Sequence, residues 1–311
     1  MRTLKWIVLA ALALSLPQVE RPAAPTPDAE LTVMHDGQAV LRAKRSDYTV
    51  PVVPLVDAGR MDELAARVDR AVRTKPVDAR IGPDGGIVPE QAGHRLDREK
   101  FADAFQVFFY GCESASVEAP LLPVHAKVDA ELIASLREKA IGRYVTYFNP
   151  RNRNRAHNIA LAARAIDSKV VFPGETFSFN ETVGIRTVQK GYLPAPVIVR
   201  GELSEGVGGG ICQVSSTLYN AVDRAGLTIV RRYSHSRHVP YVPPGRDATV
   251  SWGGPDFAFL NPYSQPVLIR AYAGGGTMVV SVYSSELLES SPRDVPRVPP
   301  KLPEETKAGS E

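Results

Sequence analysis

The sequence is poor in cysteine and carries almost no excess of charge. Among its 311 residues are only two cysteines, and 37 basic against 34 acidic residues leave a formal net charge of +3. So small a net charge gives no indication of a nucleic-acid-binding protein. A hydrophobic fraction of 44% and a charged fraction of 23% are ordinary for a globular protein with a buried core. The length predicts about two domains.

The sequence also lacks an apolar run long enough to cross a membrane. The uncharged run at residues 6–16 has eleven residues, whereas a membrane-spanning helix needs about 20. Arg2 and Lys5 precede this run and a stretch rich in proline and alanine follows it, a pattern typical of a secretory signal. We predict that residues 1–30 are an export signal or anchor with a tether. The protein is then expected in the periplasm or cell envelope, and any contact with a membrane is through this segment if it stays uncleaved.

Export leaves two interpretations of the cysteines open. In an oxidising compartment, Cys112 and Cys212 can pair as a structural disulfide. Alternatively, one of them is a reactive thiol. Composition favours neither interpretation over the other.

Hydrophobic periodicity predicts two α+β modules followed by a tail. In residues 31–142, a hairpin is expected around Asp36-Gly37, and helices are expected at 61–76 and after the capping residues Asp97 and Asp129. Residues 143–284 are expected to form a mainly antiparallel sheet with two principal helices, one at about 154–167 and one after Cys212. The strand candidates there include DATVSW at residues 247–252. Residues 285–311 have prolines and charges without apolar periodicity, which predicts a disordered tail.

The stretch GVGGGICQVSS at residues 206–216 delivers a cysteine to the start of a helix through three glycines. Cys212 lies away from the apolar stripe of that helix and at the positive end of its dipole, a position that depresses a thiol pKa. Gly208, Gly209 and Gly210 would let a substrate backbone approach the sulfur. The main-chain N–H groups of residues 210–213 would then hold an oxyanion.

Two histidines and an acid follow the cysteine in an order that suits a catalytic triad. His235 and His238 come at the end of the next strand candidate, and Asp247 begins the one after it. The plain alternative is a polar turn, and spacing does not choose between the two histidines, although His235 lies nearer the strand end. A zinc site is a weaker interpretation, because two histidines three residues apart are not a strong metal spacing. We predict no metal and no cofactor.

Basic residues flank both parts of this region, in clusters at 151–155 and 231–237. The plain interpretation is solvated surface, and the sharper one is a cradle for a carboxylate, which arginine binds in bidentate fashion. The residues predicted to bind substrate are Arg155, Asn158, Gly208, Gly209, Gly210, Gln213, Ser215, Ser216, Arg232, His238 and Tyr241.

The second module resembles the VanW family, which is named for an accessory protein of vancomycin-resistance clusters. The resemblance covers residues 143–284, and its motifs here are NRNRAHNIALAA, VVFPGETFSFNETVG, RTVQKGY, GGGICQVSSTLYNA, RRYSHSRHVPYVPPGRDATV and DFAFLNPYSQPVLI. Through GHRLDREKFADAF, residues 31–142 resemble a peptidoglycan-binding domain. The resemblance implies the bacterial envelope, peptidoglycan or its precursors as partner, and a link to glycopeptide resistance. Because Cys212 lies inside the family motif and Cys112 outside it, a functional thiol is favoured over a disulfide.

Two functional hypotheses follow. In the first, this is a non-enzymatic envelope protein that binds peptidoglycan or a precursor, with the arginines meeting a terminal carboxylate. The alternative is a cysteine-dependent acyl-transfer enzyme, a peptidase or transpeptidase acting on peptidoglycan stem peptides. In that enzyme Cys212 is the nucleophile, His235 the general base and Asp247 the residue that orients it.

Overall fold

The computed structural model describes residues 26, 29–199 and 202–299, so most of the predicted export signal lies outside the described residues. The chain divides into two compact units. Unit 1 comprises the residues up to Lys75 together with Gly93–Val124, and unit 2 comprises Pro76–Ala92 together with the residues from His125 onward. In the part of the chain that the structure describes, no helix is long and apolar enough to span a membrane.

The described residues form six α-helices and sixteen strands, with two short 3₁₀ helices at Arg45–Tyr48 and Val188–Lys190. The helices are α1 (Ala58–Val72), α2 (Arg98–Tyr110), α3 (Ala130–Leu136), α4 (Arg153–Ile166), α5 (Phe179–Val183) and α6 (Ile211–Arg224). The strands are β1 (Glu30–His35), β2 (Gln38–Lys44), β3 (Arg80–Ile81), β4 (Ile87–Val88), β5 (Gly93–Leu96), β6 (Ala115–Glu118), β7 (Leu121–Val124), β8 (Lys139–Tyr147), β9 (Lys169–Val171), β10 (Thr176–Ser178), β11 (Pro194–Val199), β12 (Glu202–Val207), β13 (Thr228–Arg231), β14 (Ala258–Leu260), β15 (Val267–Gly274) and β16 (Thr277–Ser284).

Unit 1 packs α1 and α2 with a three-stranded sheet of order β2-β1-β6 and an antiparallel pair β5-β7. The predicted hairpin at Asp36-Gly37 is confirmed, and both turn residues have positive φ. Asp97 caps α2 by accepting a hydrogen bond from the main-chain N–H of Lys100, as expected. The core of the unit is aliphatic on α1 and aromatic on α2, where Phe101 and Phe105 have no exposed surface.

Unit 2 contains an antiparallel four-stranded sheet of order β8-β16-β15-β9, on which α4 and α6 pack. A smaller sheet, β10-β14-β13, and the hairpin β11-β12 complete the unit. At Gly142 the strand β8 comes so close to α6 that a Cβ would overlap the Ala221 carbonyl oxygen. Gly226 ends α6 in the left-handed conformation, as a C′ glycine does. The predicted α+β class with mainly antiparallel sheets is confirmed.

Three parts of unit 2 differ from the sequence prediction. The segment DATVSW forms no strand, because the main chain of Ala248 is hydrogen-bonded to serine side chains of α6. Residues 125–142, predicted to belong to the first module, pack in unit 2, where Val128 and Ile133 share a core cluster with Leu268. The segment 285–299 is not detached from the fold, because Leu288 and Val295 are buried in the main core.

Candidate active site

The glycines before α6 are required by the backbone. Gly208 and Gly210 have φ values of +89° and +103°, which side chains rarely adopt. At Gly209 a Cβ would lie 2.6 Å from the carbonyl oxygen of Pro196 on β11. Gly208 and Gly209 are buried. The glycine run therefore brings the start of α6 tightly against the hairpin β11-β12, rather than opening a path for a substrate backbone.

Two polar side chains hold this junction in place from inside the protein. Asn158 on α4 donates to the carbonyl oxygens of Leu193 and Gly209, at 2.8 and 3.0 Å, and accepts from the Leu193 N–H at 2.9 Å. Gln213 accepts from Arg155 at 2.7 Å and donates to Thr146 and to the Tyr147 carbonyl. Asn158 and Gln213 have no exposed surface. They were predicted to bind substrate, but the structure gives them protein partners throughout and a positioning role.

Ser215 and Ser216 are also buried and bind the segment that was predicted to be a strand. Ser216 donates to the Cys212 carbonyl at 2.7 Å. Ser215 donates to the Ala248 carbonyl at 2.5 Å, and its Oγ also lies 3.0 Å from the Cys212 carbonyl oxygen. Ser216 accepts from the Ala248 N–H at 2.9 Å. The main chain at residue 248 thus pairs with side chains of α6 instead of with a neighbouring strand. This pairing keeps Asp247 and Thr249 beside the first turn of the helix.

Asp247 holds His235 through two hydrogen bonds. Its Oδ2 accepts from the main-chain N–H of His235 and lies 2.6 Å from the ring Nδ1. Only 6% of the His235 side chain and 9% of the Asp247 side chain are exposed. Arg232 fixes the same loop by donating to the Asp247 carbonyl at 2.7 Å. His238 is exposed on the surface, so the geometry favours His235 as the base.

Cys212 is a free, partly buried thiol that completes this chain of contacts. Its Sγ lies 3.6 Å from the Val250 carbonyl oxygen and 3.8 Å from the Thr249 hydroxyl, and the thiol interacts electrostatically with the His235 side chain. Because Nδ1 of the ring faces Asp247, Nε2 is the nitrogen left for the sulfur. In the part of the chain that the structure describes, Cys212 takes part in no disulfide.

The charges of this network favour a thiolate beside an imidazolium. Burial alone would raise the pKa of Cys212, but the hydrogen bond and positive charge of His235 outweigh it, so that the pKa is lowered. Burial would lower the pKa of His235, but Cys212 and then Asp247 raise it. Burial would raise the pKa of Asp247, whereas the hydrogen bonds from His235 lower it. Each of the three groups is thus stabilised in its charged form.

The N–H groups near the sulfur are partly occupied already. The N–H of Ile211 donates to Gly208 and that of Gln213 donates to Gly210. Both were among the expected oxyanion donors and are engaged in this conformation. The N–H of Cys212 has no such bond in the described part of the chain. It could therefore donate to the oxygen of a carbonyl group whose carbon bonds to the Cys212 sulfur.

Tyr241, which the sequence predicts to bind substrate, is buried next to these groups. Burial raises its pKa well above the usual range, the charge of Cys212 raises it further, and a hydrogen bond with Ser216 opposes the rise. The phenol therefore stays protonated and can donate. Arg232 lies over Tyr219 rather than in an open cleft, with its guanidinium carbon 5.1 Å from the ring centre.

Sequence reasoning missed one residue of the site, Arg186. Its Cβ and Cγ would lie 3.2 and 3.4 Å from a Cβ at Gly208, and its guanidinium interacts electrostatically with Cys212. The residue stands in the RTVQKGY motif, outside the two arginine clusters, so the motif is the signal that marks it. Among the described residues, no group of three or more His, Cys, Asp or Glu has the arrangement of a metal site.

Comparison with known proteins shows which family and which individual proteins this chain is similar to. The family model described as "VanW like protein" matches residues 154–283. An uncharacterized protein of Bacillus subtilis, YoaR, is 52% identical over 284 residues, which cover 91% of this chain and 94% of the relative. The vancomycin B-type resistance protein VanW of Enterococcus faecalis is 33% identical over 115 residues, 35% of this chain and 41% of that protein. No solved structure matches.

Proposed function

This chain belongs to the VanW family, and on that premise we propose that it is a cysteine-dependent enzyme that transfers acyl groups of bacterial cell-wall peptides. One observation carries the proposal: Asp247 Oδ2 lies 2.6 Å from Nδ1 of His235, and His235 interacts with the thiol of Cys212, so that the three residues stand in the order nucleophile, base and orienting acid. A thiol and a histidine whose pKa values are both shifted toward the charged forms are typical of catalytic sites, which supports an enzyme over a protein that only binds the wall.

The geometry supports a two-step reaction. The thiolate of Cys212 attacks the carbonyl carbon of a peptide bond, and the N–H of Cys212 stabilises the resulting oxyanion. When the carbon–nitrogen bond breaks, the imidazolium of His235 gives its proton to the leaving amine, and a thioester remains on Cys212. His235 then takes a proton from water or from an acceptor amine, which attacks the thioester and restores the thiolate.

Asp247 has an indirect part in this reaction. By accepting from both the main chain and Nδ1 of His235, it fixes the ring with Nε2 toward the sulfur and stabilises the imidazolium. Arg155, Asn158 and Gln213 hold the glycine run and the first turn of α6, so that the sulfur keeps its place against the imidazole.

The cell-wall substrate rests on the family and not on the geometry. The name of the Enterococcus faecalis relative connects that protein with vancomycin resistance, and the motifs of residues 143–284 resemble its family. We extend this to peptidoglycan stem peptides as acyl donors, with residues 31–142 as the wall-binding module and export through residues 1–30. A contribution to glycopeptide resistance is part of the same proposal.

The test is mass spectrometry of the protein after incubation with muropeptides released from bacterial peptidoglycan. We expect an acyl adduct on the peptide that contains Cys212, together with shortened or cross-linked muropeptides. Cys212→Ala should lose both signals, whereas the matched control Cys112→Ala should keep both.

Activity that persists in Cys212→Ala would overturn the proposal. If the wild type retains muropeptides on a sacculus but neither alters them nor forms an adduct, the non-enzymatic wall-binding hypothesis takes its place.

A further inference from the structure

Arg186 has a buried guanidinium whose hydrogen bonds are not made. Neither Nη1 nor Nη2 has exposed surface or a hydrogen-bond partner. Of the buried arginine groups in the described part of the chain, this one alone lacks partners at both terminal nitrogens. Arg45, by contrast, is buried and donates from Nη1 and Nη2 to the carbonyl oxygens of Thr26 and Phe108.

The residues around Arg186 pack against its side chain but accept no hydrogen bond from Nη1 or Nη2. Its guanidinium carbon lies 5.7 Å from the centre of the Phe179 ring, and its stem packs against Gly208. Asp256 supplies a counter-charge nearby, but its two oxygens accept from Ser178 and from main-chain N–H groups, at 2.7 to 2.9 Å. The charge of Arg186 is therefore partly compensated, and its directional donors are not.

Burying a charged group whose donors are unpaired costs free energy, because the group has lost its hydrogen bonds to water and has gained no acceptor from the protein. Burial lowers the pKa of Arg186, and the nearby Tyr192, Cys212 and Asp256 oppose the change. An arginine remains charged in a protein regardless. Acceptors that came from outside the chain would complete these hydrogen bonds, and they would lie close to Cys212.

We propose that Arg186 binds a carboxylate of the acyl donor, so that Cys212 acts on a peptide bond that lies beside a free carboxylate. This inference rests on the proposed function and narrows its substrate class. A guanidinium presents two parallel N–H donors that match the two oxygens of a carboxylate. The preferred donor would then release a residue from a free chain end, and bonds in the middle of a peptide would react poorly.

The carboxylate reaches Arg186 by displacing the groups that cover both nitrogens in this conformation. The hairpin β11-β12 is next to the glycine run, since Gly209 packs on Ala195 and Pro196. Donor binding is thus expected to move the packing around Gly208 while leaving the Cys212–His235–Asp247 contacts intact.

The first experiment measures alkylation of Cys212 with iodoacetate, which carries a carboxylate, and with iodoacetamide, which is neutral and similar in size. In the wild type we expect iodoacetate to be favoured relative to a free thiol in the same buffer. In Arg186→Gln the ratio of the iodoacetate rate to the iodoacetamide rate should fall by at least about tenfold, the loss of one charged contact. Arg137→Gln, which removes an exposed arginine of unit 2, should leave the ratio unchanged.

Arg186→Lys guards against a variant that does not fold. It keeps the charge and loses the bidentate geometry, so its ratio should lie between those of the wild type and Arg186→Gln. An equal ratio in all three proteins, with Cys212 still reactive, overturns the carboxylate site and leaves the proposed enzyme standing.

The second experiment compares stem peptides that end in a carboxylate with the same peptides ending in an amide. The wild type should prefer the carboxylate by about 100-fold in kcat/KM, and Arg186→Gln should lose most of that preference by reacting more slowly with the acid alone. Equal use of both peptides by the wild type contradicts the inference. Turnover that survives Cys212→Ala contradicts the proposed function instead, whatever the alkylation ratio shows.

Discussion

Asp69 in unit 1 and Asp247 in unit 2 are both buried aspartates with lowered pKa values, yet they serve different ends. Asp69 accepts from Arg73 one helical turn away and from the main-chain N–H of Leu96 at 2.9 Å. Its partners are a permanently charged side chain and a backbone group, so it ties α1 to β5. Asp247 accepts instead from a ring that can lose its proton and that contacts a thiol.

Because these two aspartates have such different partners, burial and a shifted pKa do not by themselves mark a catalytic acid. What separates the two aspartates is the partner: arginine keeps its proton, whereas histidine can exchange one near neutral pH. The fold uses the same interaction once to join a helix to a strand and once to orient a histidine beside a thiol.

Removing the imidazole should have the largest effect. In His235→Gln the thiol of Cys212 loses the hydrogen bond and charge that lower its pKa, so its alkylation rate by iodoacetamide at pH 7 should fall about 100-fold, the equivalent of about two pKa units. The matched change His238→Gln alters an exposed ring of the same loop and should leave the rate unchanged. Equal rates in the two variants would mean that His235 does not act on the sulfur.

The two aspartates should differ next in thiol reactivity. Asp247→Asn removes the charge that stabilises the His235 imidazolium, and we expect alkylation of Cys212 to slow by about tenfold at pH 7, roughly one pKa unit. Asp69→Asn should not change the rate. A similar slowing in both variants would indicate a general loss of structure, which circular dichroism of each protein would detect.

Asp69, which should not affect the thiol, should instead contribute to the stability of unit 1. Asp69→Asn weakens the link between α1 and the Leu96 N–H, and we expect the free energy of unfolding of unit 1 to fall by about 2 kcal/mol. Hydrogen exchange of amides in α1 and β5 measures the loss in unit 1, and amides in β16 serve as the internal reference in unit 2. The contrast fails if the Asp69→Asn exchange rates match those of the wild type.

Acid should remove a small part of the stability of both units. Because the folded-state pKa values of Asp69 and Asp247 lie below the unfolded value of about 3.9, each carboxylate stabilises the fold above that pH. The contribution is lost as the pH falls through the lower folded value. Between pH 6 and pH 3, roughly the range that spans the unfolded pKa, the melting temperature should therefore fall less steeply in either asparagine variant than in the wild type. A parallel fall in all three proteins would argue against the shifts.

Local patterns in the sequence were sufficient for much of the fold. Asp97 and Asp129 cap their helices because a short acidic side chain satisfies free N–H groups at a helix start, and Gly226 ends α6 because it tolerates positive φ. These interactions join residues a few positions apart, so spacing reveals them. The order Cys212, His235, Asp247 was also readable, since Cys212 lies at the start of a predicted helix, His235 at the end of a strand candidate and Asp247 at the start of the next candidate.

What the sequence did not reveal depends on pairings between distant segments. DATVSW alternates like a strand, but the serines of α6 take its hydrogen bonds at Ala248. Gln213 and Asn158 are polar residues beside a nucleophile, a position that suggests substrate contact, yet the protein itself occupies their donors and acceptors. Arg186 stands in the RTVQKGY motif, but spacing does not distinguish it from the other arginines, whereas its buried and unpartnered terminal nitrogens do.

The segment after β16 acts as a clasp on the end of α6. Arg293 donates to Asp223 at 2.8 Å, the Tyr144 hydroxyl donates to the Pro296 carbonyl at 2.8 Å, and the N–H of Ser291 donates to Tyr263 at 3.1 Å. A recombinant fragment trimmed at Ser284, where the strands end, would discard this clasp and uncover the apolar surface beneath Leu288 and Val295. Fragments intended for activity measurements or crystallisation should accordingly extend through Val298.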